Sequence, residues 1–207
     1  MGPEVKLTSR LELRALRAAD RDEFARVFTE SRAHFAPWSP TGDAERAPQE
    51  LFEAQLQRGA AEMASGSGFR RAAFLRDGGR LAGLFTLSQI FRGPLCSCYA
   101  GWRVSADCIG QGLCTEAMRA MLDIAFAPAP QGLGLHRVQA NVIPDNVASV
   151  RVAEKLGLRR EGLALRYLHI GGAWRDHIMF AATAEEWGAP ASAEGRRVIP
   201  SREGGDR

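Results

Sequence analysis

Gly110 and Gly112 punctuate the stretch from Val104 to Thr115, where a strand-like run passes into a helix-like one. A helix begins with backbone N–H groups that have no partner. Its dipole adds positive potential there, so such a turn can hold a phosphate or diphosphate. Glycine lets the backbone come close to the phosphate oxygens. The same residues would also serve a plain tight strand-to-helix turn. Two other phosphate patterns are missing. There is no G-x-x-x-x-G-K-[ST], and Gly110-Gln111-Gly112 runs on as Leu113-Cys114-Thr115, which breaks G-x-G-x-x-G.

The cysteines are Cys96, Cys98, Cys108 and Cys114, with no C-x-x-C pair and no histidine close by in sequence. No metal site is expected from such spacing. Cys114 falls at a helix start, where a thiol pKa can drop, so it is a conceivable reactive thiol.

The elements that must position these groups read as follows. Leu11-Glu12-Leu13 alternates as a strand. Asp20, three residues before Glu23, has capping-box spacing, and Phe24, Val27 and Phe28 follow on one helical face. The prolines of Ala36-Pro37-Trp38-Ser39-Pro40-Thr41-Gly42 stop that helix. A second helix is expected over Pro48 to Arg58. Residues 72–104 read as a three-stranded antiparallel meander, turning at Asp77-Gly78-Gly79 and at Arg92-Gly93-Pro94. A meander ahead of the glycine turn disfavours a parallel dinucleotide-binding sheet.

Met118, Met121, Leu122, Ala125 and Phe126 then recur with helical period, and Pro128 ends that helix. His136 to Ile143 is a strand. Asn146 can cap a helix that closes at Gly157-Leu158 in a Schellman-type ending. Tyr167 to Ile170, Gly171-Gly172 and Trp174 to Ala182 form a closing hairpin. Residues 8–188 read as one domain, and residues 189–207, rich in Gly, Pro, Ser and charge, read as a disordered tail.

Composition sets the limits. The 207 residues are 45% hydrophobic and 25% charged, ordinary for a globular chain. A net charge of +3, from 27 basic and 24 acidic residues, is no nucleic-acid footprint by itself. No apolar run reaches the roughly 18 residues of a membrane span, and no signal sequence is visible at Met1 to Arg10. A cytoplasmic protein is expected, with no membrane partner.

Trp102-Arg103-Val104 ahead of Gly110-Gln111-Gly112-Leu113-Cys114-Thr115-Glu116-Ala117 resembles motif A of the GCN5-related N-acetyltransferases (GNAT). Asn146 to Leu158 looks like their motif B. Within that superfamily, His136-Arg137-Val138-Gln139-Ala140-Asn141, Glu161-Gly162 and Trp174-Arg175-Asp176-His177 look closest to the RimJ/RimL-type ribosomal-protein-alanine N-acetyltransferases. The resemblance implies a mixed α/β fold. Its central sheet would be mostly antiparallel, flanked by helices, with one parallel strand pair splayed apart.

The resemblance further implies acetyl-CoA as donor and no metal. Backbone groups of Trp102, Arg103 and Val104 would pair with the pantetheine amides. The N–H groups of Ile109, Gly110, Gln111, Gly112, Leu113, Cys114 and Thr115 would hold the pyrophosphate, and Asn141 and Asn146 would add polar contacts. Many members place a tyrosine in motif B to protonate the leaving thiolate, where this chain has Ala153. Ser149, one turn earlier, is the expected thiolate partner. Ile109 replaces the usual Arg or Gln, and Cys114 the usual Gly or Ala, without removing a backbone donor.

A neutral amine would attack the thioester, which suits an α-amino group of pKa about 7.7–8.0 better than a lysine near 10.4. His136, His169 and Tyr99 are candidate bases, and Glu161 reads as structural. Trp38, Trp174 and Tyr167 would either line the acceptor groove or pack as ordinary aromatics. Asp176 would either face a cationic N-terminus or make a turn or strand ion pair. The acceptor implied by the subfamily is a ribosomal protein N-terminus. A small amine such as an antibiotic or polyamine, and a binding protein that takes CoA or a ribosomal partner without turnover, stay open as alternatives.

Overall fold

A computed structural model describes residues 2–40, 42 and 45–188; the expected tail, 189–207, lies outside the described residues. Among the described residues, eight strands form one sheet in the order β1-β2-β3-β4-β5-β6-β8-β7. They are β1 (Val5–Leu7), β2 (Leu11–Arg14), β3 (Gly68–Leu75), β4 (Leu81–Phe91), β5 (Ser97–Val104), β6 (Arg137–Val142), β7 (Arg159–Ile170) and β8 (Ala173–Thr183). The helices are α1 (Arg21–Glu30), α2 (Arg32–Phe35), α3 (Pro48–Ser65), α4 (Leu113–Phe126), α5 (Val147–Lys155) and α6 (Ala184–Gly188). Among the described residues no helix is long and apolar enough to cross a membrane.

Tight turns join β1 to β2, β3 to β4, β4 to β5 and β7 to β8, whereas α1 to α3 lie between β2 and β3 and β6 meets β8 across α5 and β7. Gly78 and Gly79 turn β3 into β4 at φ +79° and +66°, a region closed to most side chains. Only β5 and β6 run parallel. A parallel pair needs a long crossover, and α4 supplies it. Apolar residues on the two faces of the sheet make two cores. Met118, Met121, Leu122 and Ala125 of α4 join Phe85, Leu87, Val138 and Ala140 in one. Phe24 and Phe28 of α1, stacked at 4.0 Å, join Phe52 of α3, Phe74 and Leu81 in the other.

The expected mixed fold, meander and forked strand pair are all present. The Schellman ending is present too. Leu158 N–H donates to Ala153 O at 3.0 Å and Gly157 N–H to Glu154 O at 2.8 Å. Several boundaries differ. β1, the N-terminal half of β7 and α6 were not expected, and α3 runs on past Arg58 to Ser65. Asp20 does not cap α1 with its side chain, and Glu23 closes no box on it. Asp20 is instead the third residue of a 3-10 turn (Ala18–Asp20), where its carboxylate accepts the Arg17 N–H at 2.7 Å in a capping box one turn earlier and takes both terminal nitrogens of Arg14. Glu23 is drawn away to Leu81 N–H and Arg26. The charged partners Arg14 and Arg26 compete with the expected cap.

The sheet is tightest beside the fork. A Cβ at Gly83 would lie 2.4 Å from Arg103 O on the neighbouring strand. Gly83→Ala must therefore push β4 from β5. A loss of about 1–3 kcal/mol is expected from urea unfolding; wild-type stability would show that the strands part freely.

Candidate active site

The glycine turn leads from β5 through a short 3-10 turn (Ala106–Cys108) into α4. Gly110 and Gly112 both have φ +76°. Gly112 is the N-cap of α4 and makes no side-chain cap. A Cβ at Gly110 would meet nothing within 4 Å, so the turn faces open space. A helix N-terminus without a side-chain cap, beside room for a ligand, suits an anion.

Residues remote in sequence brace this turn. Arg10 Nη1 donates to Gln111 O at 2.9 Å, and Gln111 Nε2 donates to Asp107 O at 2.8 Å. Glu116, in the first turn of α4, accepts from Thr8 Oγ1 at 2.6 Å, Ser9 Oγ at 2.9 Å, Arg10 N–H at 2.9 Å and Arg10 Nε at 2.7 Å. Burial acts to raise the Glu116 pKa, but the bonds from Thr8, Arg10 and Ser9 outweigh it and bring it down to about 2. Nothing local in sequence marks this brace, because its halves lie more than 100 residues apart. Burial pushes the half-buried Cys114 thiol, in the same turn, up to about 12, the opposite of the lowering that a helix start would give.

Beyond the turn, β5 and β6 part. Their ladder pairs Ser97 with Arg137, Cys98 with Val138 and Tyr99 with Gln139, and stops there. β5 stays paired to β4 as far as Val104, and β6 to β8 as far as Val142. The facing edges, Ala100 to Val104 and Ala140 to Val142, thus lack ladder partners across the gap. Trp102, Arg103, Val104 and Asn141 line this fork.

Their side chains separate to opposite faces. Trp102 packs on the α4 side and its Nε1–H donates to Ser149 Oγ at 3.2 Å. Asn146 caps α5 by accepting Ser149 N–H at 3.1 Å, which fixes Ser149 at the fork. Arg103 turns to the other face. Its Nη2 donates to Ser39 Oγ at 3.1 Å, and its guanidinium lies 5.4 and 5.0 Å from the Phe28 and Phe35 ring centres. Ser39 O also accepts Gly171 N–H at 3.1 Å, and Pro40 bridges Ile170. The tip of the β7–β8 hairpin is thereby tied to residues 39–40.

The other candidates divide. Tyr99 stands where the fork closes, and Tyr167 reaches it through Asn141 Nδ2 at 3.2 Å. His169 sits on the hairpin against Trp174, rings 5.5 Å apart, and Trp174 is largely exposed. His136 is misplaced as a base: it precedes β6 at the closed end of the pair and meets Glu185 at 3.3 Å. Glu161 is structural, with Arg137 and Arg159 carrying it down to about 2 against burial. Asp176 supports a bulge in β7, accepting Arg166 N–H at 2.7 Å where Arg166 has φ +48° and the β7–β8 register shifts. His177 belongs to the Trp174-Arg175-Asp176-His177 run but is given no role by the sequence. It is buried against Tyr167, its Nδ1 is 3.0 Å from Arg175 O, and burial lowers its pKa.

The Glu116 brace has a pH signature. Its folded pKa is depressed from 4.5, so its contribution is full above about pH 4.5 and is lost as pH falls toward 2. Glu116→Gln should cost roughly 1–3 kcal/mol near neutral pH, with the gap to wild type closing under acid in urea unfolding. A gap independent of pH would remove the carboxylate from the brace.

Comparison with known proteins agrees with this geometry. A family profile described as an acetyltransferase (GNAT) domain matches residues 10–159. The [ribosomal protein uS5]-alanine N-acetyltransferase of Escherichia coli strain K12 is 32% identical over 186 residues, covering 89% of this chain and 94% of that protein. Mycobacterium smegmatis RimJ, solved in complex with CoA-disulfide, superposes with TM-score 0.82 at 30% identity, covering 91% of this chain and 93% of its own. The ribosomal-protein-S5-alanine acetyltransferase of Vibrio fischeri gives TM-score 0.77 at 27% identity, covering 89% and 99%. The matched span runs through the glycine turn, the forked strands and α5, and the chain belongs to the GNAT acetyltransferase family.

Proposed function

We propose that this chain transfers an acetyl group from acetyl-CoA to the α-amino group of a protein N-terminus, the N-terminal alanine of a ribosomal protein. The observation that carries this reading is the fork. Two strand edges lie open toward each other, and a glycine turn opens onto space at one end. Pantetheine amides fit such edges as an added strand would, and a diphosphate fits the start of α4. The acceptor comes from the likeness to the uS5-alanine enzyme over most of both chains. A ribosomal-protein acceptor supports a cytoplasmic activity. We assign it to residues 8–188.

The residues divide the work. Backbone groups of Trp102, Arg103 and Val104 align the pantetheine arm, with Asn141 beside it on β6 and Asn146 at the start of α5. The N–H groups of Ile109 to Thr115 face the pyrophosphate. A backbone N–H near Val104 polarises the acetyl carbonyl as charge develops on its oxygen. Ser149 is the catalytic residue: its hydroxyl donates to the departing sulfur. The Trp102 indole can only donate, so Ser149 Oγ accepts from it and the Ser149 proton is turned to another partner.

Thiol release from acetyl-CoA with an alanine-initiated peptide tests the function, with a polyamine as the competing acceptor. Release on the peptide is expected; release on the polyamine alone would reverse the acceptor assignment. Coenzyme binding with no release on either would indicate a binding protein. Ser149→Ala should lower kcat roughly ten-fold or more, with KM for acetyl-CoA within about two-fold. An unchanged kcat would take Ser149 out of the reaction.

A further inference from the structure

One peptide group in the glycine turn is held from behind by a residue of another segment. Among the described residues, none of the N–H groups from Ile109 to Thr115 meets a protein acceptor. The directions in which they point therefore decide what the turn can bind. The side chains of the turn offer an anion little. Ile109 and Leu113 are apolar, and Gln111 turns Nε2 to Asp107 O at 2.8 Å. The outside contact is Arg10, whose Nη1 donates to Gln111 O at 2.9 Å.

That bond settles which way the Gln111–Gly112 peptide faces. In a trans peptide the C=O and the N–H point to opposite sides. With its carbonyl drawn to Arg10, this peptide directs the Gly112 N–H away from Arg10. Local backbone preference would not hold it there. Turning the peptide over changes ψ of Gln111 and φ of Gly112, and glycine accepts either sign of φ. Gly112 stands at φ +76°, whereas an N-cap residue is ordinarily extended. The turned-over form is thus open to Gly112, and it would present a carbonyl where an anion needs a donor.

Arg10 is itself held firmly. Its backbone N–H donates to Glu116 Oε1 at 2.9 Å and its Nε to Oε2 at 2.7 Å. Its Nη2 lies 2.6 Å from the same carboxylate, which balances the guanidinium charge. Arg10 therefore acts on the turn by orientation more than by attraction.

We infer that Arg10 is a positioning residue for the coenzyme's diphosphate: its bond to the Gln111 carbonyl keeps the Gly112 N–H turned to the phosphate oxygens and stops this peptide from turning over. The inference rests on the coenzyme site proposed above.

Coenzyme A binding, followed by calorimetry, reads the effect. Arg10→Met keeps the aliphatic stem and removes every donor. It should weaken binding about ten-fold or more, the size expected for one hydrogen bond to a charged group. Arg10→Lys keeps a donor and should bind more tightly than Arg10→Met. Removing Arg10 also leaves the Glu116 charge unbalanced, so Arg10→Met is repeated together with Glu116→Gln. The double variant should stay weak. Recovery of wild-type affinity in it would trace the loss to that charge and overturn the inference, as would wild-type affinity in Arg10→Met alone.

The Gly112 amide in a proton–nitrogen correlation spectrum gives a second reading, which needs no coenzyme. It should be one sharp peak in the wild-type chain. In Arg10→Met it should be doubled, or broadened by exchange between two orientations, while the peak of Ala120 inside α4 stays in place and reports an intact fold. Arg10→Lys should lie between the two. A sharp, unshifted Gly112 peak in both variants would overturn the inference. The expected amide change in a chain that takes up no coenzyme A would uphold the orienting role of Arg10 and count against the proposed function instead.

Discussion

Backbone N–H and C=O groups demand partners, and the fork between β5 and β6 is where this sheet withholds them. Each strand is satisfied along its outer edge, by β4 or by β8, and left open along its inner one. The opening is shaped for one more extended chain. The wedge needs a floor, which α4 supplies, and an anchoring end, which is the glycine turn.

Two sets of contacts keep the wedge open and aimed. On the α4 side, Glu116 gathers donors from residues 8–10 and so fastens the phosphate-type turn to the far end of the sheet. On the other side, stacked phenylalanines hold α1 against β3 and β4, and Arg103 lies among the Phe28 and Phe35 rings with its end on Ser39. Neighbouring residues of β5 thus serve different tasks because a strand sends successive side chains to opposite faces. Trp102 orients the Ser149 hydroxyl, and Arg103 ties the opposite face to Ser39.

Much of this was legible in the residues. The double glycines at 78–79 and 110–112 demand positive φ, and the structure uses them so. Helical periodicity marked α4, and Asn146 caps α5 as its position implied. What escaped is non-local. Asp20 looks like a cap until Arg14 is folded beside it. Cys114 has the position of a lowered thiol until it packs against the core, and burial then raises it. His136 has a suitable ring, yet only the strand order shows that it sits at the wrong end of β6. The line of hydrogen bonds from Arg137 through Gln139 and Asn141 to Tyr167 joins β6 to β7, and no spacing within one segment encodes it. β1 is three residues long and α6 five, too short for periodicity to register.

Three backbone pairs are all that stitch β1–β5 to β6–β8 through the ladder. The seam is reinforced from outside, at Ser39. Its hydroxyl receives Arg103 from one half and its carbonyl receives Gly171 from the other. One serine thus clasps the two halves of the sheet on the face opposite α4, while the α4 core joins them on the other.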